Sequence, residues 1–264
     1  MLIVGERINS SRNTIGRALE ERDEAFIIRE AQIQKDAGAN MLDVNCALNT
    51  KDEVSDMQWL VKLVQNNVDI PLSIDSPNPD AIGAGLSKHK GTALINSVTL
   101  EPDRVRSIMP FAKKFNAKLI VLLIDENGMP ETAQDRLKMA KRALEMAKEY
   151  NVPTDNIFID PLIRPISSEP SQAFEVIKSV RLLRAELNLK SICGLSNVSY
   201  GLPDRSILNS VYLAMMLSAG LEGAILDPVN KKISIMLKAS NAILGKDEYC
   251  VEYIKSFREG NLKF

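Results

Sequence analysis

The residues best suited to chemistry in this chain recur at one kind of place, the end of a short apolar run. Glu6, Arg7 and Asn9 follow the first run, Asp43 and Asn45 close the second, and Asp75 and Asn96 follow the third and fourth. Asp125 lies just past the fifth, Asp160 ends the sixth, Asn197 follows the seventh and Asp227 the eighth. Acids and amides favour turns and helix N-caps, so any one of them could serve the backbone alone. An acid or amide after every run suits a shared polar pocket better. A carboxylate accepts two hydrogen bonds from the edge of an amino-pyrimidinone, and an amide donates and accepts at once. Such groups orient a flat heterocycle in a pocket that is otherwise apolar. Carboxylates alone could also hold magnesium.

The remaining composition narrows the chemistry. His89, in the polar stretch SKHKG, is the only histidine and reads as an exposed loop or helix-end residue, so nucleophile–histidine catalysis has little to draw on. Cys46, Cys193 and Cys250 are widely spaced with no CxxC pair. That pattern fits free thiols in a reducing, cytoplasmic setting and argues against zinc; no resident metal is expected. No lysine stands at a run end to form a Schiff base. Lys and Arg number 33 against 34 Asp and Glu, so the excess of positive charge that nucleic acid demands is missing. The longest apolar run, Leu119–Ile124, is far below the roughly 20 residues that span a bilayer. The opening MLIVGERINSSR has neither the basic region nor the cleavage site of a signal peptide.

The elements that must position these residues alternate. Continuous apolar runs at Leu2–Val4, Asn40–Val44, Pro71–Ile74, Ala93–Ile95, Leu119–Leu123, Ile157–Ile159, Ser191–Leu195 and Gly223–Leu226 suit strands buried on both faces of a parallel sheet. Helical patterns lie between them at Glu24–Ala37, Val54–Val64, Pro79–Leu86, Pro102–Phe115, Thr132–Tyr150, Ser171–Leu187, Arg205–Ala219 and Asn230–Leu244. Gly38, Gly220 and Gly245 mark helix ends. Eight strand–helix units of roughly 30 residues predict a closed (β/α)8 barrel occupying 1–264 as a single domain. A doubly wound sheet is the rival, but no G-x-G-x-x-G or G-x-x-x-x-G-K-[ST] follows any strand. Tyr249–Phe264 reads as an extra helix with a polar tail.

Six segments at the run ends, GERIN (Gly5–Asn9), DVN (Asp43–Asn45), SIDS (Ser73–Ser76), INS (Ile95–Ser97), DPLI (Asp160–Ile163) and GLSNVS (Gly194–Ser199), occur in the order found in the tetrahydrofolate–corrinoid methyltransferases. The chain resembles that family over essentially its whole length. More widely, it is similar to the pterin-binding TIM barrels that include the folate domain of cobalamin-dependent methionine synthase. The resemblance implies methyl transfer between N5 of tetrahydrofolate and the cobalt of a corrinoid in anaerobic one-carbon metabolism. It also implies a homodimer and a corrinoid carried by a partner protein. No D-x-H-x-x-G cobalamin signature is present, in keeping with a chain that does not ligate the corrinoid itself.

By the same resemblance, Asp75, Asn96 and Asp160 hold the pterin ring, Glu6 and Asn9 face the pocket, and Arg205 lies near the folate. Asn197 is the residue implied to carry chemistry, by a hydrogen bond to N5 as the methyl leaves. The plainer readings are that Asn197 caps the helix at Arg205 and that Arg205 is a first-turn arginine. Ser10–Arg12, Tyr200 and the Leu202–Pro203 turn are placed to shape partner or folate-tail contacts. Dihydropteroate synthase shares such a pocket, but its N-V-T-P-D-S-F motif is replaced here by GERINSS. The residues also allow a non-catalytic pterin-binding subunit or a magnesium enzyme.

Overall fold

The computed structural model describes residues 1–48 and 51–263. Its elements run β1 (Leu2–Asn9), α1 (Asn13–Glu20), α2 (Glu24–Asp36), β2 (Met41–Asn45), α3 (Glu53–Asn67), β3 (Leu72–Asp75), α4 (Pro79–Leu86), β4 (Leu94–Val98) and α5 (Pro102–Lys114). They continue through β5 (Lys118–Leu122), α6 (Ala133–Glu149), β6 (Ile157–Asp160), α7 (Gln172–Leu187), β7 (Lys190–Gly194), α8 (Arg205–Ala219), β8 (Gly223–Leu226), α9 (Lys231–Ile243) and α10 (Val251–Arg258). The strands close in sequence order into one parallel barrel. The closing pair aligns Leu2 with Gly223 and Gly5 with Leu226, which excludes the doubly wound sheet.

Apolar side chains fill the barrel on both sides of the sheet. Inside, Val4, Met41, Leu94, Ile120, Phe158 and Ile192 form a plug at the lower end. Outside, two larger clusters seal the strands against the helices. Sequence-encoded caps fix the helix starts. Asp23 accepts from Phe26 N, Asn78 from Asp80 N, and Thr132 with Asp135 forms a capping box on α6.

The structure departs from the sequence pattern at three points. Helix α1, inside the first connection, has no counterpart in that pattern; it is a short stretch of about two turns that buries Ile15, Gly16 and Ala18 and has no side-chain cap. The segment Tyr249–Phe264 holds the expected helix and tail, but the helix starts late, at Val251, because Tyr249 and Cys250 take φ of 52° and 56°. His89 lies just past α4, as a helix-end residue should, but is half-buried rather than exposed. Its Nε2 accepts the N–H of Leu72 at 3.0 Å, satisfying the first residue of β3, and burial lowers its pKa. Among the described residues no helix is long and apolar enough to cross a membrane.

The plug supports everything above it. Leu94→Ala, at a fully buried plug position, is expected to cost about 2–5 kcal/mol of stability, read as a lower midpoint in chemical denaturation.

Candidate active site

Side chains on a strand alternate between faces, so a residue two places beyond a plug residue also points into the barrel. That step leads from Val4 to Glu6, Met41 to Asp43, Leu94 to Asn96, Ile120 to Leu122, Phe158 to Asp160 and Ile192 to Gly194. All six endpoints, with Asp75 and Ile225, line a cavity of about 650 Å³ at the C-terminal end of the barrel. Asn9, Ser11, Arg12, Ser97, Leu162, Ile163, Ser196, Asn197 and Arg205 complete the lining. The seven residues singled out from sequence, Glu6, Asn9, Asp75, Asn96, Asp160, Asn197 and Arg205, therefore share one cavity. Asp125 and Asp227 lie outside it: Asp125 pairs with Arg142 at 3.0 Å, and Asp227 accepts from Arg7 at 3.3 Å.

The floor is a chain of acids spaced by amides. Asn96 donates to Asp43 at 3.1 Å, and Asn45 donates to Asp75 at 2.9 Å. Burial first, and then the charge of Asp75, push Asp43 well above the ordinary carboxylate range. Asp75 is also raised by burial, while hydrogen bonds from Asn45 and Asp43 pull it down. Both members of the pair are therefore held above the ordinary carboxylate range, Asp43 further than Asp75, and the two titrate as a unit. Sequence alone places Asp43 only at a strand end; its partnership with Asp75 depends on the β2–β3 register, which pairs Asp43 with Ser73.

Asp160 stands across the cavity. Burial pushes it up to about 7, against the pull of the Leu162 and Gly194 N–H groups; Leu162 N donates to its Oδ1 at 2.8 Å. Glu6 is raised by burial too, opposed by a 2.8 Å hydrogen bond from Ser196.

Asn197 belongs to a 3-10 turn, Leu195–Ser199, directly after β7. The turn lets Asn197 fold back over the cavity: a Cβ on Gly194 would come within 3.2 Å of its Nδ2. It does not cap the following helix, whose N-cap is Asp204. Arg205 is in the first turn of α8 and also reaches back, donating to Ser199 Oγ at 3.1 Å and Ser196 O at 2.6 Å, so it clamps the turn that bears Asn197. Arg12 and Arg205 stand at the rim, and the floor consists of acids and amides.

Similarity to known proteins agrees with this geometry. A family model described as pterin binding enzyme matches residues 5–227. A methylcorrinoid:tetrahydrofolate methyltransferase of Eubacterium limosum is 32% identical over 267 aligned positions, covering 99% of this chain and 98% of its own. The methionine synthase of Mycobacterium tuberculosis is 30% identical over 239 positions, which is 85% of this chain but only 20% of that longer protein. Among solved structures, a dihydropteroate synthase of Yersinia pestis matches with a TM-score of 0.70 at 15% identity, over 92% of this chain and 93% of that one. That last likeness is one of fold.

The raised acid at Asp160 sets a pH dependence of stability. Its folded pKa of about 7 exceeds the unfolded value of ~3.9, so the folded state holds the extra proton between those values and stability falls as pH rises through that window. Asp160→Asn removes the effect. The ligand-free variant should be more stable than the parent by about 2–4 kcal/mol above neutrality, with the gap closing toward pH ~4, as urea denaturation across pH would show.

Proposed function

The chain belongs to the pterin binding enzymes, and from that premise we propose that it moves a methyl group between N5 of tetrahydrofolate and the cobalt of a corrinoid carried by a separate protein. The observation that carries this reading is full-length similarity to a methylcorrinoid:tetrahydrofolate methyltransferase, joined to a cavity whose floor fits a pterin edge.

The fit is chemical. A pterin presents an amino group and ring N–H donors along one edge, with acceptors beside them. Asp75 and Asp160 offer carboxylate oxygens to the donors, and Asn96 keeps a second N–H and its carbonyl oxygen after donating to Asp43. Desolvated acids held in no ion pair bind such a donor edge well, because the ligand supplies the hydrogen bonds that burial has withheld. Glu6 and Asn9 extend the polar wall.

The transfer breaks the N5–CH3 bond and forms a carbon–cobalt bond, or the reverse. N5 keeps the bonding pair as the methyl leaves and takes a proton. The amine is a poor leaving group until positive charge develops on N5. An amide placed at N5 favours that developing state. Asn197 is the residue for it, held over the cavity by the turn that Arg205 clamps. The cobalt supplies the methyl-accepting or methyl-donating centre; among the described residues no group of three or more His, Cys, Asp or Glu is placed to hold a metal ion.

We further propose a cytoplasmic homodimer. Free cysteines support the first part, and exposed Phe174, Val211 and Met215 on α7 and α8 support the second. Dihydropteroate synthase activity is the second reading, which the shared fold suggests.

Methyltetrahydrofolate mixed with the chain and free cob(I)alamin should yield methylcobalamin. Folate binding without transfer in either direction would point to a pterin-binding subunit instead. Asn197→Ala should lower the transfer rate about 100- to 1,000-fold with little change in the folate dissociation constant; equal losses in both would remove Asn197 from its assigned part.

A further inference from the structure

We infer that Arg136, on α6, is a positioning residue for Asp160: it grips the turn that follows β6 and through that turn fixes the carboxylate in the cavity. This rests on the reading of Asp160 as an acid that contacts folate.

Arg136 heads the fully buried side chains by volume, and a guanidinium does not give up its proton. A permanent charge with no access to water calls for strong partners. Its four hydrogen bonds go to neutral oxygens: Nε to Pro161 O at 2.6 Å, one terminal nitrogen to Glu131 O at 3.3 Å, and the other to Gln172 Oε1 at 2.9 Å and Leu162 O at 3.5 Å. An apolar side chain of similar volume would cost less in that place. What the arginine holds gives it a purpose, since two of the four oxygens belong to the residues directly after Asp160.

The second of those residues is strained. Leu162 takes φ of 64°, the left-handed region that a residue with a branched side chain disfavours. Its N–H donates to Asp160 Oδ1, 2.8 Å away, and its left-handed turn directs the carbonyl that Arg136 binds. Such a backbone persists only where its surroundings over-determine it. Arg136 does this from below by binding both carbonyls. Arg164 anchors the far side of the same segment through Glu131, Glu169 and the carbonyl of Pro130. A fork with five donors in one plane can hold several carbonyls at once, which a lysine cannot.

Charge adds a second signature. The titratable or charged groups facing Asp160 are Arg136 from α6, Cys193 from β7 and Tyr212 from α8. Burial pushes the Cys193 thiol and the Tyr212 phenol upward, so both stay neutral near pH 7. Arg136 is the charged member of the three, and it pulls the Asp160 pKa down.

The test measures methyltetrahydrofolate binding across pH for the full chain, Arg136→Lys, Arg136→Gln, Asp160→Asn and the double variant Arg136→Gln/Asp160→Asn, with thermal melts to confirm folding. Both Arg136 substitutions should weaken binding by about tenfold or more. Arg136→Lys, which keeps the charge, should leave the pH midpoint of binding near that of the parent, whereas Arg136→Gln should move it upward. With asparagine at 160, Arg136→Gln should cost less than about twofold further, because the path it acts through is gone. If Arg136→Gln fails to fold, Arg136→Lys combined with Asp160→Asn carries the same cycle. Losses of equal size with Asp or Asn at 160, or variants that bind like the parent, overturn the inference while leaving the proposed function intact. A parent chain that binds no methyltetrahydrofolate overturns both.

Discussion

Four carboxyl groups, Glu6, Asp43, Asp75 and Asp160, line one cavity at the mouth of the barrel, and burial makes it costly for all of them to be charged together. Arg12 and Arg205, the cations of the lining, stand at the rim and offset the penalty at Glu6 only in part, as Arg136 does at Asp160. The site therefore keeps protons that free carboxylates would release. Asp43 and Asp75 are both raised, and Asp160 is pushed up to about 7. A floor of this kind is selective for ligands that bring N–H donors. Anionic groups find repulsion there, and apolar groups leave the acids unsatisfied.

The rest of the fold makes this arrangement tolerable. The plug closes the barrel below, so the acids meet solvent on one side only. Asn45 and Asn96 each give an N–H to a different member of the central pair, which spaces the acids without adding charge. Asn45 is in turn held by Ser10 at 2.9 Å and by Ala47 N at 3.0 Å, tying the floor to the loops above it. Stability is given up where the acids crowd and recovered in the apolar layers around the strands, a trade common at binding sites.

Much of this is legible in the sequence because a polar residue directly after a buried apolar run stands out. The eight units and the closed barrel follow from that contrast, which also marks Asp125 and Asp227, outside the cavity; the choice of the seven lining residues, Arg205 above all, comes from the family resemblance. What cannot be read there depends on tertiary neighbours. The partnership of Asp43 with Asp75 needs the register between β2 and β3. His89 reads as exposed because its sequence neighbours are polar, yet its ring completes the start of β3. Arg136 is one of several basic residues on α6, and composition gives it no prominence. Its signal lies in phase: 136, 140, 143 and 147 form one buried row, and an arginine occupies a place where the pattern asks for an apolar side chain.

Small side chains share the buried face of α6 with that arginine. Ala140, Ala143 and Ala147 line the buried face of α6, and alanine lets a helix lie close to the sheet. Binding and chemistry then separate by depth. The acids and their supports are buried at the strand ends, and on the proposed reading their contacts to the pterin serve affinity. Asn197 is exposed, on a short turn clamped by Arg205, the side open to the proposed methyl-carrying partner. Only a contact that strengthens as charge develops on N5 can raise the rate, and the exposed turn is where such a contact can form while the floor stays fixed.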